Sequence, residues 1–411
     1  MWLYGAAGAG KSAIAHTLAE LCENNGWLVA SFFFWKTASE RNNVNRFVAT
    51  IARQVALAIP ASRELIGAAV DYNPFIFQQS IHVQLSKLVV EPLQQLFSAG
   101  TKFDTSPLVI IIDGLGECQG ADIQSGLIKS LAAAFCGSQF RIRILIASRP
   151  EVYLRSTFGS SSVQPHLARL ALSDEFSSDE DIHRFLKDSF DKIKREHPLA
   201  SYIPPSWPSS DILHEFTKKS SGQFIFASTT VKYIGGDPHQ LPHRRLDVVR
   251  RLQPPSSEKD MPYVELNSLY HLVLSNVNNM EAVKQVLGVL IILNPELNGR
   301  WSELDSTSKI DDFFLWQPGE TAACLGQLAS IIGLGTSGKI FIEHASLSDF
   351  LLDPSRSHQF YLCRESVLSD GATFGLCHLR KHAVLDDGVS FSFFQKFILG
   401  VLICGMSYIS V

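Results

Sequence analysis

The chain has 411 residues, of which 46% are hydrophobic and 18% are charged, and its formal net charge is −4. This composition excludes an intrinsically disordered chain, and its slightly acidic balance gives no electrostatic reason to expect nucleic acid as a partner. The seven cysteines include no C-x-x-C pair, so we expect neither a zinc nor a disulfide framework, and we expect a cytoplasmic location. The length accommodates about two to four domains.

A glycine-rich motif stands close to the start of the chain. Residues 5–12 read Gly-Ala-Ala-Gly-Ala-Gly-Lys-Ser, which matches the whole phosphate-loop pattern G-x-x-x-x-G-K-[ST]. The backbone N–H groups of such a loop can approach a polyphosphate, while Lys11 supplies charge to the β- and γ-phosphates and Ser12 supplies a hydroxyl to Mg²⁺. The expected nucleotide contacts are therefore Gly5, Gly8, Ala9, Gly10, Lys11, Ser12 and Ala13. The alternative is a glycine-rich turn that matches the pattern by chance.

The segments on either side of this loop fit the strand and the helix that it needs. Residues 2–4 are apolar, and residues 14–21 carry apolar side chains at helical spacing, with no Pro or Gly before Gly26. A buried strand usually has about 5–6 residues, and too few precede the loop to supply them. We therefore expect the sequence to begin inside a domain, as a fragment or a misplaced start codon would.

Strand-like and helix-like segments alternate through the first 172 residues. Short apolar runs at 27–34, 108–112, 142–147 and 167–172 indicate strands, and 44–57 has helical periodicity. This alternation predicts an α/β domain over 1–172 with a parallel sheet and helices on both faces.

Three polar residues follow the predicted strands. Asp113 ends the run that begins at Leu108, where a carboxylate can join Ser12 in holding Mg²⁺. Glu117 lies four residues further on and either orients the attacking water or is a solvated loop carboxylate. Arg149 follows the run 142–147 and either senses the γ-phosphate, which suits its permanent charge, or forms a surface ion pair.

The sequence pattern after residue 172 predicts helices followed by a hairpin. Helical periodicity dominates 173–253, which predicts a helical domain, and 254–260 is a polar linker. In 261–356, helices precede two apolar runs, 331–334 and 340–342, an order that resembles a winged helix. The arginine cluster 244, 245, 250 and 251 is predicted to be a solvated helical face rather than a binding patch.

The C-terminal tail, 357–411, receives no fold assignment from its sequence. Residues 397–411 contain no charged residue, but as a helix they would span about 22 Å, short of a hydrocarbon core of about 30 Å. The length therefore favours a buried terminal helix or an aberrant gene-model tail over a membrane span.

Several further motifs extend the pattern beyond the phosphate loop. They are Leu3-Tyr-Gly-Ala-Ala-Gly-Ala-Gly-Lys-Ser-Ala-Ile-Ala15, Ser31-Phe-Phe-Phe34, Ile110-Ile-Ile-Asp-Gly-Leu-Gly-Glu-Cys118, Ile146-Ala-Ser-Arg-Pro-Glu151, Ser220-Ser-Gly-Gln-Phe-Ile-Phe-Ala-Ser228 and His344-Ala-Ser-Leu-Ser-Asp-Phe-Leu-Leu-Asp-Pro-Ser-Arg356. In this order they resemble the nephrocystin-like NACHT domains of fungal NLR-like proteins. The resemblance covers residues 1 to about 365 and extends to the signal-transduction ATPases with numerous domains (STAND).

This resemblance implies a site that draws on several domains. The strand ending at Ala147 would insert between the strand before the phosphate loop and the strand ending at Asp113, which would place Arg149 beside the phosphates. The helical and winged-helix modules would fold over the nucleotide. His344 stands where related switches place a histidine on the β-phosphate of the diphosphate form, and its alternative role is that of a satisfied core histidine.

One residue departs from the family pattern. The family usually has Asp-Gly-Leu-Asp-Glu, whereas this chain has Gly116 in place of the second Asp. Binding of Mg²⁺ and nucleotide is still expected because Asp113 is present. Hydrolysis is weakened more than binding, since charge is lost on the side that activates water, and Glu117 is the residue that could compensate.

The expected function is that of a nucleotide-dependent switch. ADP or GDP would hold a closed form, and exchange for ATP or GTP, or slow hydrolysis, would control an open form that self-associates. Protein partners would act through effector and repeat domains outside this chain, in the innate-type defence roles suggested for the family. The alternatives are a hydrolysis-deficient pseudo-NTPase interaction scaffold, a gene-model fragment and a membrane-tethered fragment.

Overall fold

The chain divides into two units, Met1–Ser173 and Asp174–Val411, in a computed structural model. The structure describes residues 1–36, 38, 40–99, 108–136, 142–172, 178–252, 263–294, 304–335 and 337–385. The predicted linker 254–260 and the apolar segment 397–411 lie outside these ranges. Within them, no helix has both the length and the apolar character that crossing a bilayer requires.

A parallel sheet organises the first unit. Its strands are β1 (Trp2–Gly5), β2 (Leu28–Phe33), β3 (Leu108–Asp113), β4 (Ile142–Ser148) and β5 (Arg169–Leu172). Their order is β2-β3-β4-β1-β5, and every neighbouring pair is parallel. The predicted α/β class is confirmed for this unit, and β4 does insert between β1 and β3. Although β1 has only 4 residues, it is hydrogen-bonded on both sides.

Apolar side chains cover both faces of this sheet. Successive strand residues point to opposite faces, so Ile110 and Ile112 enter one core while Ile111 enters the other. Helix α1 (Lys11–Asn24) covers the second face through Ala15 and Ala19. Because both faces are buried, β3 reads as a continuous apolar run that ends only at the polar Asp113.

The other helices of the first unit are mostly short. These helices are α2 (Phe47–Ala58), α3 (Arg63–Tyr72), α4 (Ile81–Leu85), α5 (Glu91–Ser98), α6 (Ala121–Phe135) and α7 (Val152–Phe158), with a π-helical stretch at Ser86–Val90. The predicted helix 44–57 is present as α2, whereas no helix was predicted from sequence for the segments that form the others.

Helices and one hairpin make up the described part of the second unit. The predicted hairpin is confirmed as β6 (Ile332–Leu334) paired antiparallel with β7 (Ile340–Ile342). The helices are α8 (Ser178–Glu196), α9 (Ser210–Ser220), α10 (Phe224–Gly235), α11 (Pro242–Arg250), α12 (Val264–Ser275), α13 (Met280–Gly288), α14 (Thr307–Phe314), α15 (Glu320–Leu325), α16 (Ala345–Leu351), α17 (Pro354–Ser357) and α18 (Arg364–Leu385).

A single apolar cluster runs through this second unit, from Ile182 to Leu368. The π-helical stretch Val289–Leu293, which continues α13, contributes buried side chains to it. The division into a helical domain (173–253), a winged-helix-like domain (261–356) and a tail (357–411) stays a prediction.

The arginine cluster on α11 is only partly solvated. Arg244 and Arg251 are exposed. Arg245 is half-buried, with its guanidinium 4.0 Å from the Tyr233 ring centroid and 3.5 Å from Asp237. The prediction of a wholly solvated face is therefore wrong for Arg245, because an aromatic face and a carboxylate on neighbouring elements attract its charge.

Candidate functional site

The glycine-rich loop connects the end of β1 to the start of α1. Gly5 is the last residue of β1, and the loop closes on itself where the Ala9 N–H donates to the Ala6 carbonyl at 3.3 Å. Gly8 and Gly10 have φ values of 78° and 88°, a region that favours glycine. Gly10 caps α1, so Lys11, Ser12 and Ala13 form the first turn. The N–H groups of a helix's first turn lack intrahelical partners and favour an anion.

Lys11 folds back over this loop. Its Nζ donates to the Gly5 carbonyl at 2.9 Å and to the Ala6 carbonyl at 2.6 Å. Burial, together with the charge of Arg149, lowers the pKa of Lys11 to about 8, although Asp113 and Glu117 oppose the shift. An ammonium group whose charge is destabilised in this way would gain from a nearby anion.

Asp113 stands at the carboxyl end of β3, next to the start of α1. It is buried, and the Ser12 side chain lies close enough to its carboxylate to oppose a rise in its pKa. Burial raises the pKa of Asp113, opposed by the Ser12 hydroxyl, the Gly114 N–H and the positive charges of Lys11 and His16. A carboxylate beside a hydroxyl is an all-oxygen donor set of the kind that Mg²⁺ prefers, so these two residues fit that ion.

Glu117 ends the short turn Leu115–Glu117 that follows β3. Its Oε2 accepts a hydrogen bond from the Lys36 backbone N–H at 3.1 Å, which ties its carboxylate to the segment after β2. Burial, together with the charge of Asp113, raises the pKa of Glu117 to about 7, although the Lys36 N–H and the charges of Arg149 and Lys36 oppose the shift. A general base works best when its pKa lies near the working pH.

Arg149 comes directly after β4. Since β4 is the middle strand of the sheet, between β1 and β3, Arg149 lies near the middle of the edge at which the strands end. Its charge lowers the pKa of both Lys11 and Glu117, so its guanidinium lies within electrostatic reach of both. The structure therefore brings Lys11, Ser12, Asp113, Glu117 and Arg149 together at one edge.

His344 belongs to the second unit and caps α16. The Ser346 N–H donates to its Nδ1 at 3.0 Å, and the Ser346 hydroxyl lies 2.7 Å from the same atom. Because Nδ1 accepts a hydrogen bond, the neutral ring carries its hydrogen on Nε2. The Ser346 hydroxyl also bonds the buried Tyr270 hydroxyl at 2.8 Å. Contact of His344 with a β-phosphate stays a prediction.

Sequence patterns missed two groups that lie beside the turn after β3. One is the Lys36 backbone N–H, which any residue type could supply. Another is Glu151, whose Oε1 lies 3.7 Å from where a Cβ on Gly116 would stand. The Tyr153 hydroxyl bonds the Glu151 carboxylate and also Gln124 Oε1, the latter at 2.9 Å. Glu151 was visible within the motif that ends the β4 segment, but spacing does not show which way its side chain points.

Comparison with known proteins identifies a family model and a solved structure that are similar to this chain. The family model described as "Nephrocystin 3, N-terminal" matches residues 1–149. The Walker-type ATPase PABY2304 of Pyrococcus abyssi is 13% identical, with 82% of this chain and 94% of that chain covered, at a TM-score of 0.27. A superposition this poor carries no argument about fold or function. No curated protein matches the chain.

Proposed function

We propose that the first unit binds a nucleoside triphosphate or diphosphate together with Mg²⁺ at residues 5–13. The observation that carries the proposal is the convergence of Lys11, Ser12, Asp113 and Glu117 at the carboxyl edge of a parallel sheet. Three of them have pKa values that burial displaces toward neutrality. Clefts at this edge are where open α/β sheets bind ligands, and displaced pKa values concentrate at functional sites.

Each group has a separate task in binding. The N–H groups of the loop and of the first turn of α1 donate to phosphate oxygens. The Lys11 ammonium leaves the Gly5 and Ala6 carbonyls for the β- and γ-phosphates, where negative charge restores its affinity for a proton. Ser12 and Asp113 hold Mg²⁺, which when bound offsets charge on the phosphates.

Slow hydrolysis is the reaction that these residues can support. The oxygen of a water molecule bonds to the γ-phosphorus while the bond from that phosphorus to the β,γ-bridging oxygen breaks. The products are the nucleoside diphosphate and inorganic phosphate. Glu117 accepts the proton that the water loses, and the Arg149 guanidinium offsets charge that develops on the transferred group.

We also propose that nucleotide state controls the conformation and self-association of a cytoplasmic switch of the NACHT and STAND kind. The motif resemblance and the nephrocystin match support this part. A nucleotide shifts such an equilibrium only by its difference in affinity for the two states. His344→Ala should therefore weaken diphosphate binding more than triphosphate binding, and an equal effect on both would remove His344 from the proposal.

A pseudo-NTPase interaction scaffold is the second candidate. Gly116 favours it, because the turn after β3 lacks the carboxylate that the family usually has there. Binding without turnover would be its signature, whereas phosphate release that disappears in Asp113→Ala would contradict it.

Binding of fluorescent ATP and GTP analogues with Mg²⁺ tests the proposed site. Lys11→Ala should weaken binding about 100-fold, since charge-assisted hydrogen bonds contribute about 1.5–3 kcal/mol each. Lys87→Ala is the matched control, because Lys87 forms an exposed pair with Glu91 at 2.9 Å in the same unit. Equal binding by wild type and Lys11→Ala would refute the site.

A further inference from the structure

Groups from two neighbouring segments lie beside the turn Leu115–Glu117. Lys36, which follows β2, reaches Glu117 through its backbone N–H. Glu151, which follows β4, places Oε1 3.7 Å from the Cβ position of Gly116. Both partners are explained by the strand order, since β3 lies between β2 and β4. The empty side-chain position of residue 116 therefore faces a carboxylate from another strand.

A series of polar contacts connects that carboxylate to the turn. The Tyr153 hydroxyl, which has one hydrogen to donate, lies between Glu151 Oε2 and Gln124 Oε1, and Gln124 is buried. The Gln124 side-chain nitrogen in turn donates to the Cys118 carbonyl at 2.6 Å, one residue after Glu117. The connections thus run from Cys118 through Gln124 and Tyr153 to Glu151, which faces the turn again at Gly116.

The helices that carry these side chains are also joined. The Thr157 hydroxyl on α7 donates to the Tyr153 carbonyl at 2.8 Å, and its oxygen lies 3.0 Å from the Ser125 hydroxyl on α6. Tyr153 and Gln124 consequently sit on elements that are linked to each other. Glu151 is placed by fixed neighbours, which is what a positioned charge requires.

We propose that Glu151 is a positioning residue for nucleotide hydrolysis, and that its carboxylate supplies from the end of β4 the acidic charge that Gly116 cannot supply. The inference rests on the proposed function. Negative charge beside the turn favours transfer of the water proton to Glu117, because a nearby anion stabilises the protonated carboxyl.

Glu151→Gln tests the charge while keeping the size of the side chain and an acceptor for the Tyr153 hydroxyl. Phosphate release should fall about 10-fold, below the 100-fold or more expected for loss of a general base. The dissociation constant for the Mg²⁺–nucleotide complex should stay within about twofold. The acidic limb of the pH–rate profile should move to lower pH, because the proposal has the Glu151 charge favour the protonated form of Glu117, while the facing charges of Asp113, Arg149 and Lys36 stay the same. Glu20→Gln, an exposed change on α1, is the matched control and should alter none of these quantities.

A carboxylate swap tests whether location is what matters. Gly116→Asp in the Glu151→Gln background should restore most of the lost turnover, because it returns a carboxylate to the same space. Gly116→Asp in the wild-type background should not raise turnover, because two carboxylates in contact repel each other. Tyr153→Phe, which removes the anchor and keeps the charge, should reduce turnover with little change in binding.

If the turnover and the pH profile of Glu151→Gln equalled those of the wild type, the inference would be overturned. Failure of Gly116→Asp to restore activity in the Glu151→Gln background would overturn it as well. Nucleotide binding without phosphate release in the wild-type chain would also overturn it, while leaving the binding site intact. Equal binding by wild type and Lys11→Ala removes the binding site and the Glu151 inference together. The two failures are therefore distinguishable.

Discussion

The charged groups at the sheet edge of the first unit and those on the surface of the second unit are arranged in contrasting ways. In the first unit, Lys11, Asp113 and Glu117 gather at the sheet edge, and burial displaces the pKa of each toward neutrality. In the second unit, opposite charges form direct pairs near the surface. Examples are Arg250–Glu215 at 2.9 Å, Lys232–Glu343 at 2.8 Å and Lys309–Asp305 at 2.8 Å.

This contrast separates groups that the proposed site would use from groups held for structure. Burial opposes ionisation of Asp305, yet Lys309 and Lys339 lower its pKa below the usual range, so its charge is secure. Tyr270 shows that a raised pKa alone is not a site, because its buried hydroxyl simply bonds Ser346. What marks the first unit is several displaced groups converging where a ligand could reach them.

The largest stability effect should come from Glu117→Gln. The glutamate pKa is 4.5 ordinarily and about 7 in the fold, so between these values the folded chain binds a proton that the unfolded chain releases. Wild-type stability therefore falls as pH rises through this window. Above pH 7 the variant should exceed wild type by up to about 3 kcal/mol, with no difference below pH 4, as measured by urea denaturation at each pH.

Asp305→Asn in the second unit is the counterpart of this prediction, because the Asp305 carboxylate should change stability with pH in the opposite direction. The pKa of Asp305 is lowered in the fold, so its contribution is present above the unfolded value and is lost as pH falls. The variant should be less stable than wild type at neutral pH and equal to it in acid. Parallel curves for the two variants would contradict the contrast between the units.

Next in size is the loss of stability expected when a methyl group is added at position 114. Gly114 joins Asp113 to the turn Leu115–Glu117. Its φ is 68°, and a Cβ there would lie 2.8 Å from the Phe34 carbonyl oxygen. Gly114→Ala should destabilise the chain by about 1–3 kcal/mol. Gly126→Ala on α6 is the control: a Cβ there meets nothing within 4 Å, so it should stabilise by about 0.5–1 kcal/mol. Equal effects of the two changes would mean that the turn is not constrained.

The pH dependence of binding tests the displaced charge of Lys11. With a pKa of about 8 in the free chain, Lys11 must take up a proton to bind phosphate at higher pH. Affinity should be constant below pH 8 and fall about tenfold from pH 8.5 to 9.5. Lys11→Arg should remove this dependence, since arginine stays charged. A wild-type affinity that is flat to pH 10 would show that burial does not weaken the lysine charge.

The smallest expected effect comes from a surface pair. Arg250→Ala breaks the contact with Glu215, in which both side chains are partly exposed. Pairs of this kind contribute about 0.2–1 kcal/mol, so the variant should lose no more than that in urea denaturation. A loss above 2 kcal/mol would mean that paired charges in the second unit carry more stability than their exposure indicates.

Sequence patterns predicted the parts of the fold that local spacing encodes. Each strand of the sheet is an apolar run, and Asp113 was predicted at a strand end because it is the polar residue that stops such a run. The insertion of β4 came from resemblance alone, because strand order is not local. Helix α3 buries only Ile66 among its residues, so its pattern gave little signal.

The candidate site was predictable as a set of residues but not as a network. Lys11, Ser12 and Asp113 follow from motif and spacing. The engagement of Glu117 by a backbone N–H and of Gly116 by Glu151 depends on how segments distant in sequence meet. Whether Glu151 lies beside Gly116 depends on the direction of the Glu151 side chain after β4, and the residue types do not specify that direction.

Hydrogen–deuterium exchange of the full chain, with and without nucleotide and Mg²⁺, tests the location of the site most directly. Bound nucleotide should slow exchange at residues 8–13, whose N–H groups would donate to phosphate, and at 113–117. Lys11→Ala should abolish both effects at the same nucleotide concentration. Unchanged exchange in these two segments at saturating nucleotide, or equal protection in Lys11→Ala, would contradict a phosphate site at this sheet edge.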